Sequence, residues 1–265
     1  MSGRAKLQTD GDRPVLRLER RLNHAPEKVW HAITDPAELE HWFPAEVDVE
    51  LRAGGAIRFT FPGEDSTTTG RVVTADPPRE FTFVWNDDTL RWLISPDGDG
   101  SLLEFTHTFG RGDPAIAKLA GGRTAAGWDV CLDALGAHLA GQDFEQPRRW
   151  HERMVSYVEE FGLDDGEVLT GGTIRFRRDL GWKPLDELRP LLPDEPGWHL
   201  VHDPLEGTRV EFTEAAGDDV PAQLARRHEQ LDKLFAATHD VTLPDWPPDR
   251  VEAVKKHYAE HPTQG

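Results

Sequence analysis

Pro26 and Pro36 each open a helical pattern, and both patterns fall between segments that alternate like β-strands, a start that few folds share. Pro26 suits the first turn of a helix, where its missing N–H would have no intrahelical partner. Val29, Trp30 and Ile33 then recur at helical spacing on one face. Asp35 offers a side-chain acceptor to the free backbone donors of a second helix, with Pro36 at its first position and Glu38 placed to complete a capping box. Leu39, Trp42 and Phe43 supply that helix's apolar side.

Strand signals surround this pair. Val15 to Leu22 alternates with period two and puts Leu16, Leu18 and Leu22 on one face. Val47 to Leu51, Ile57 to Phe61, Thr68 to Ala75, Phe81 to Trp85, Leu90 to Ile94 and Leu102 to Phe109 follow, joined by the turn Gly54-Gly55, the loop Pro62 to Ser66, Pro77-Pro78 and the turn Asp97 to Gly100. Short connections of this kind imply an antiparallel meander. From Pro114 to Ala140 the period becomes helical, with Trp128, Cys131, Leu132, Leu135 and Leu139 on the packing face and a break expected at Gly121-Gly122.

Composition removes several classes of function. A net charge of −18, from 30 Lys and Arg against 48 Asp and Glu, repels phosphate backbones and anionic lipid, and the arginine pairs are short and flanked by acids. No nucleic-acid partner is expected. The single cysteine, Cys131, excludes an internal disulfide and any multi-cysteine metal site. Residues 1–13 lack a signal-peptide core and no run approaches the roughly 20 apolar residues of a membrane span, so no membrane insertion and a cytoplasmic location are expected. His31 and His41, His199 and His202, and Cys131 with His138 fail as metal pairs on their spacing, and no phosphate loop or nucleophile elbow is present. No metal and no cofactor are expected.

One strand, two small helices, six further strands and a long closing helix form a plan whose pieces resemble the START/Bet v 1-like (SRPBCC) superfamily, most closely the branch related to activators of the Hsp90 ATPase. The resemblance rests on Ala25-Pro26 through Trp42-Phe43, the Gly54-Gly55 turn, Pro77 to Phe81, the strand Leu103 to His107, and Gly127-Trp128 followed by Leu132, Leu135 and Leu139, about half the chain. It implies an α+β helix-grip fold over residues 14–142, a curved antiparallel sheet around a long helix with an elongated apolar cavity between them. It also implies binding of a small hydrophobic molecule, a lipid or a polyketide-like aromatic. The other implied roles are a cyclase- or hydrolase-type enzyme, or a protein-interaction module with a chaperone partner and a place in bacterial stress response.

The residues themselves agree with an apolar interior. Alternation turns Phe59, Phe61, Phe81, Phe83, Trp85, Trp92, Phe105 and His107 toward the helix that carries Trp128, and Trp42 closes on the same side. Such a lining either holds a flat ligand or fills a core, and the pattern leaves both open. His107 shares its face with Leu103, Phe105 and Phe109; it is a general acid/base candidate or a hydrogen-bonded core histidine. Arg20 falls on the Leu16/Leu18 face, as a ligand contact at the cavity mouth or as a rim charge reaching outward. No catalytic residue is assigned, and binding without turnover is the favoured reading.

Residues 143–265 read as a separate α+β region. A helix from Pro147 to Phe161, a strand Thr173 to Arg177, a short helix Lys183 to Leu192, a hairpin Trp198 to Val201 and Thr208 to Thr213, and helices Val220 to Thr238 and Pro248 to His261 are expected. Trp198-x-Leu200 followed by Gly207 to Thr213 echoes Trp92-Leu93 followed by Gly100 to Thr106. Either the region is a shortened repeat of the first, packing on it or mediating a homodimer, or the echo is chance.

Overall fold

The computed structural model describes residues 3–63, 67–145, 150–204 and 206–261. The chain divides into two compact units, Met1–Tyr157 and Val158–Gly265.

In unit 1, strands β1 (Lys6–Asp10) and β2 (Arg13–Leu22) are followed by helices α1 (Pro26–Thr34) and α2 (Pro36–Leu39). Six more strands come next: β3 (Glu46–Val49), β4 (Ala56–Thr60), β5 (Thr67–Asp76), β6 (Glu80–Trp85), β7 (Asp88–Asp97) and β8 (Gly100–Thr108). They form one antiparallel sheet in the order β1-β2-β8-β7-β6-β5-β4-β3. The closing helices are α3 (Pro114–Leu119), α4 (Gly121–Leu139) and the start of α5 (Trp150–Glu160). This is the helix-grip arrangement, and the break between α3 and α4 falls at Ala120, one residue before the expected Gly121-Gly122, which form the first turn of α4.

Three departures from expectation have local causes. Strand β1 lies in a segment too polar to announce itself; it pairs with β2 from Lys6 opposite Arg17 to Asp10 opposite Arg13, through a turn at Gly11, whose φ of +62° a β-carbon would resist. Asp35 does cap α2 by accepting from the Ala37 N–H at 2.9 Å. Glu38 does not complete the capping box, because it accepts a hydrogen bond from His138 Nε2 on α4 at 2.8 Å. Val73 is an extra residue where the β5–β6 register shifts; it is 47% exposed, and such a bulge sharpens a sheet's bend.

Unit 2 carries strands β9 (Glu167–Leu169), β10 (Thr173–Asp179), β11 (Trp198–Asp203) and β12 (Gly207–Ala215) in the order β11-β12-β10-β9. Helix α6 (Leu185–Leu188), extended by a 3-10 turn Arg189–Leu191, sits between β10 and β11, and α7 (Val220–Ala237) and α8 (Pro248–Glu260) follow the sheet. Pro147, expected to open α5, lies outside the described residues.

The two sheets match in register. In unit 1, β8 aligns Phe105 with Leu18 and Trp92, and Leu103 with Arg20 and Ile94. In unit 2, β12 aligns Phe212 with Phe176 and Trp198, and Val210 with Arg178 and Leu200. Arg20 pairs with Asp129 of α4, and Arg153 of α5 reaches the same carboxylate at 3.3 Å. Arg178 pairs with Asp232 of α7 at 2.9 Å, and Arg250 of α8 reaches that carboxylate, also at 3.3 Å. Each unit thus ties its sheet and two helices together with an arginine–aspartate–arginine bracket.

Candidate functional site

The interior of unit 1 is an aromatic block. Trp128 on α4 lies against Phe105 at 4.3 Å between ring centroids, Phe105 against Trp92 at 4.3 Å, and Trp92 edge-on to Trp42 at 6.0 Å. Phe43, in the turn after α2, bridges Trp128 (6.1 Å) and Phe59 (5.8 Å). From Phe59 the contacts run outward to Trp85 at 4.4 Å, and Trp85 stacks on Phe61 at 5.8 Å. These offset and edge-to-face geometries are the favourable ones for rings.

What remains between the rings is a void of about 20 Å³, lined by Ile33, Leu39, Trp42, Phe43, Val47, Ile57, Phe59, Phe81, Phe83 and Trp92. That is room for about one water, and an apolar lining gives a water no partners. The elongated cavity expected from the sequence is therefore closed here: pockets for small molecules run to roughly 300 Å³ and more. The physical reason is volume, since Phe59, Phe81, Phe83, Trp92, Phe105 and Trp128 from β4, β6, β7, β8 and α4 are buried beside the aliphatic core and pack ring against ring. Of the expected binding residues, Trp42, Phe59, Phe81, Phe83 and Trp92 surround the void. Phe105, His107 and Trp128 form the packed block beside it, and Phe61 and Trp85 lie half-buried at its outer end.

Three of the indole N–H groups have partners. Trp42 Nε1 donates to Ala32 O at 2.9 Å and Trp85 Nε1 to Thr68 Oγ1 at 3.0 Å. Trp128 Nε1 donates to His107 Nδ1 at 3.0 Å. An indole N–H cannot accept, so Nδ1 holds the lone pair and the imidazole proton sits on Nε2, which donates to Asp88 Oδ2 at 2.9 Å. Asp88 Oδ1 accepts from the Gly110 N–H at 2.8 Å. Both histidine nitrogens are engaged and His107 does not line the void, so general acid/base work by His107 would require breaking one of these bonds. Asp88 is the partner the sequence reading missed; it opens β7, and nothing in its spacing to His107 marks the pair.

Arg20 is not a rim charge. It is 5% exposed, pairs with Asp129, and donates from Nη1 to the carbonyls of Gly3 (2.8 Å) and Glu19 (3.1 Å). With Asp129 and Asp133 on α4 in front of it, the guanidinium finds counter-charge inside, and this outweighs the tendency of a long side chain to reach for water. Burial pushes the Cys131 thiol up to about 12, which disfavours the thiolate near neutral pH.

Unit 2 holds a second polar cluster that no sequence pattern flagged. His228 on α7 places Nε2 at 3.2 Å from Asp164 Oδ2 and 3.8 Å from Asp232 Oδ1, and Nδ1 at 2.8 Å from the Tyr258 hydroxyl. That hydroxyl also accepts from the Gly166 N–H at 3.0 Å. Asp164, His228 and Tyr258 are buried, and their separation in the chain hid them.

Residues 23–140 match the family described as Activator of Hsp90 ATPase homolog 1-like protein. The solved structure of a conserved protein of unknown function, EF2215, from Enterococcus faecalis is 18% identical and superposes with a TM-score of 0.52 over 60% of this chain and 90% of that one. The crystal structure of CalU16 from Micromonospora echinospora is 24% identical over 61% of this chain and 99% of that one, with a TM-score of 0.48. No curated protein matches. Among the described residues no helix is long and apolar enough to cross a membrane. The strand order, the gripped helix and the matched segment together give unit 1 the helix-grip fold, with residues 23–140 similar to the AHSA1-like family.

Proposed function

We propose that unit 1 binds a small, flat, apolar molecule beneath the Trp42-Phe43 turn. The observation that carries this reading is the lining of the void: every residue around it is apolar, and of these Phe43 is half-buried where the others are buried. Entry requires Phe43 to swing outward, since the closed interior has no room for a ligand. Five of the residues expected from the sequence to contact a ligand surround that point. A ligand held there exchanges ring–ring contacts within the protein for ring–ligand contacts of the same kind, so the swing costs little beyond rotamer strain.

Thermal-shift and native mass-spectrometry screens of fatty acids, sterols and aromatic polyketides test this. A ligand that raises the melting temperature of the wild type, and binds more tightly to Phe43→Ala, is expected. No shift with any of these classes, in either protein, ends the proposal.

The closed interior favours one other reading, a protein-interaction module of co-chaperone type, because a filled core serves a docking domain as well as a void serves a carrier. Retention of the host's Hsp90 homologue on the immobilised chain, with no small-molecule shift, is the outcome that selects it.

A further inference from the structure

We propose that Asp164, His228 and Asp232 of unit 2 form a binding site for a divalent transition-metal ion. Their ligand atoms all lie within 4.8 Å of one another. Two donors about 2.1 Å from a common ion at a tetrahedral angle lie about 3.4 Å apart. The His228 Nε2 distances to Asp164 and Asp232, 3.2 and 3.8 Å, bracket that value. One imidazole and two carboxylates make a mixed nitrogen and oxygen set, suited to zinc or manganese rather than calcium.

The hydrogen-bond inventory singles out this histidine from the other buried one. His107 Nδ1 receives the Trp128 indole N–H, which can only donate, so its Nε2 must keep the proton and has no lone pair for a metal. His228 Nδ1 faces the hydroxyl of Tyr258, which can donate or accept. When Nε2 turns its lone pair to an ion, Nδ1–H donates to the Tyr258 oxygen, the outer-shell partner that metal-bound histidines usually have. Gly166 N–H already fixes that oxygen in place.

A second observation comes from Arg178. Its side chain is 5% exposed, it donates from Nη1 to Asp232 Oδ1 at 2.9 Å, and its Nη2 lies 3.9 Å from Asp164 Oδ2. Neither Nη2 nor Nε has a hydrogen-bond partner among the described residues. Buried donors of this kind are costly to leave unmet, and a water or anion completing an ion's coordination would meet them. Asp232 keeps acceptor capacity for both the guanidinium and an ion, because each carboxylate oxygen has two lone pairs.

Comparison of the two brackets shows what is extra. Four residues before Asp129 in α4 stands the buried Ala125; four residues before Asp232 in α7 stands His228. The arginine–aspartate–arginine arrangement of unit 1 holds without an imidazole there. The imidazole of unit 2 is therefore not needed by the bracket itself, whereas Asp164 has a counterpart in Asp133, 3.5 Å from Arg20.

The test uses the full chain, stripped with chelator and titrated with Zn²⁺ alone, with Mg²⁺ as the oxygen-preferring control. One Zn²⁺ per chain, a raised melting temperature and at least a tenfold loss of affinity in His228→Gln and Asp232→Asn are expected, with Mg²⁺ inert. His138→Gln, in the surface cluster with Glu38, should bind as the wild type does. If the unit 2 variants do not fold, nitrogen-15 histidine spectra of the wild type decide: Zn²⁺ should move the proton of His228 from Nε2 to Nδ1. Absence of stoichiometric binding, unchanged affinity in folded His228→Gln, loss of binding in His138→Gln, or His228 resonances that ignore Zn²⁺ each overturn the proposal.

Discussion

Trp128 links the two uses of an indole in this protein, as packing surface and as proton donor. Its ring fills the space under α4, and its N–H satisfies the His107 nitrogen that would otherwise be a buried acceptor without a partner. Trp128→Phe keeps most of the ring area and removes only the donor, so a loss of about 1–3 kcal/mol in urea unfolding is expected. Asp164 is the matching acid in unit 2. Burial works to raise its carboxyl, but the hydrogen bond from His228 and the charge of Arg178 outweigh burial and hold it below its usual value. A carboxyl depressed in the folded state adds stability above its unfolded value, about pH 4, and that share disappears as pH falls through the depressed value. Asp164→Asn should therefore be less stable than the wild type at pH 7 and converge with it in acid, read from denaturant midpoints across pH. Glu159 runs the other way: burial, then the nearby Asp164, push it up, so its share is present in acid and lost as pH rises through the raised value. Alternation along β2 and β8 is enough to turn Arg20 and His107 inward. What each inward group would meet was not readable, because Asp129 and Asp88 approach from α4 and β7, and strand period says nothing about partners on another element.

Brackets of two arginines on one aspartate join sheet to helix in both units, and they are buried enough to matter. The side chains of Arg20 and Asp129 are 5% and 15% exposed. Removing one charge, as in Asp129→Asn, leaves the buried Arg20 with only Asp133 at 3.5 Å for counter-charge and should cost up to about 3–5 kcal/mol, whereas Arg20→Met with Asp129→Leu should cost much less. A double-mutant cycle in guanidinium chloride measures the difference. Gly166 governs a different joint, where the chain enters β9. A β-carbon there would stand 2.2 Å from Phe176 Cζ, and Phe176 is 1% exposed and has nowhere to go. Gly166→Ala should destabilise unit 2 by about 1–3 kcal/mol or more through overpacking, seen as a lowered melting temperature. At this scale the sequence was most legible: strands β2 and β4 to β8, the α3/α4 break, and the hairpin and helices of unit 2 follow from period and turn chemistry. Strand β1 was hidden because nearly all its side chains face water and carry no alternation.

The molecule carries 48 acidic against 30 basic side chains, and much of that excess lies on its surface. Repulsion of this size opposes the compact state and is screened by salt, so the melting temperature should rise between about 0.01 M and about 0.15 M sodium chloride. A flat or falling profile would mean that the surface ion pairs outweigh the net charge. Aromatic content could be counted from the sequence, but not whether the rings would enclose a space or occupy it. That depends on how closely α2 and α4 approach the sheet, by an ångström or two, which no one-dimensional pattern encodes. Among the described residues unit 2 has four strands where unit 1 has eight, yet it pairs Trp198 with Phe212 and Arg178 with Val210 as unit 1 pairs Trp92 with Phe105 and Arg20 with Leu103.

Because one polypeptide holds this bracket twice, it carries its own reference experiment. Any substitution made at Arg178 or Asp232 has a twin at Arg20 or Asp129, measured in the same tube, at the same ionic strength and on the same backbone scaffold. The difference between twins isolates what an imidazole contributes at one such joint, free of the uncertainties that trouble comparisons between separate proteins.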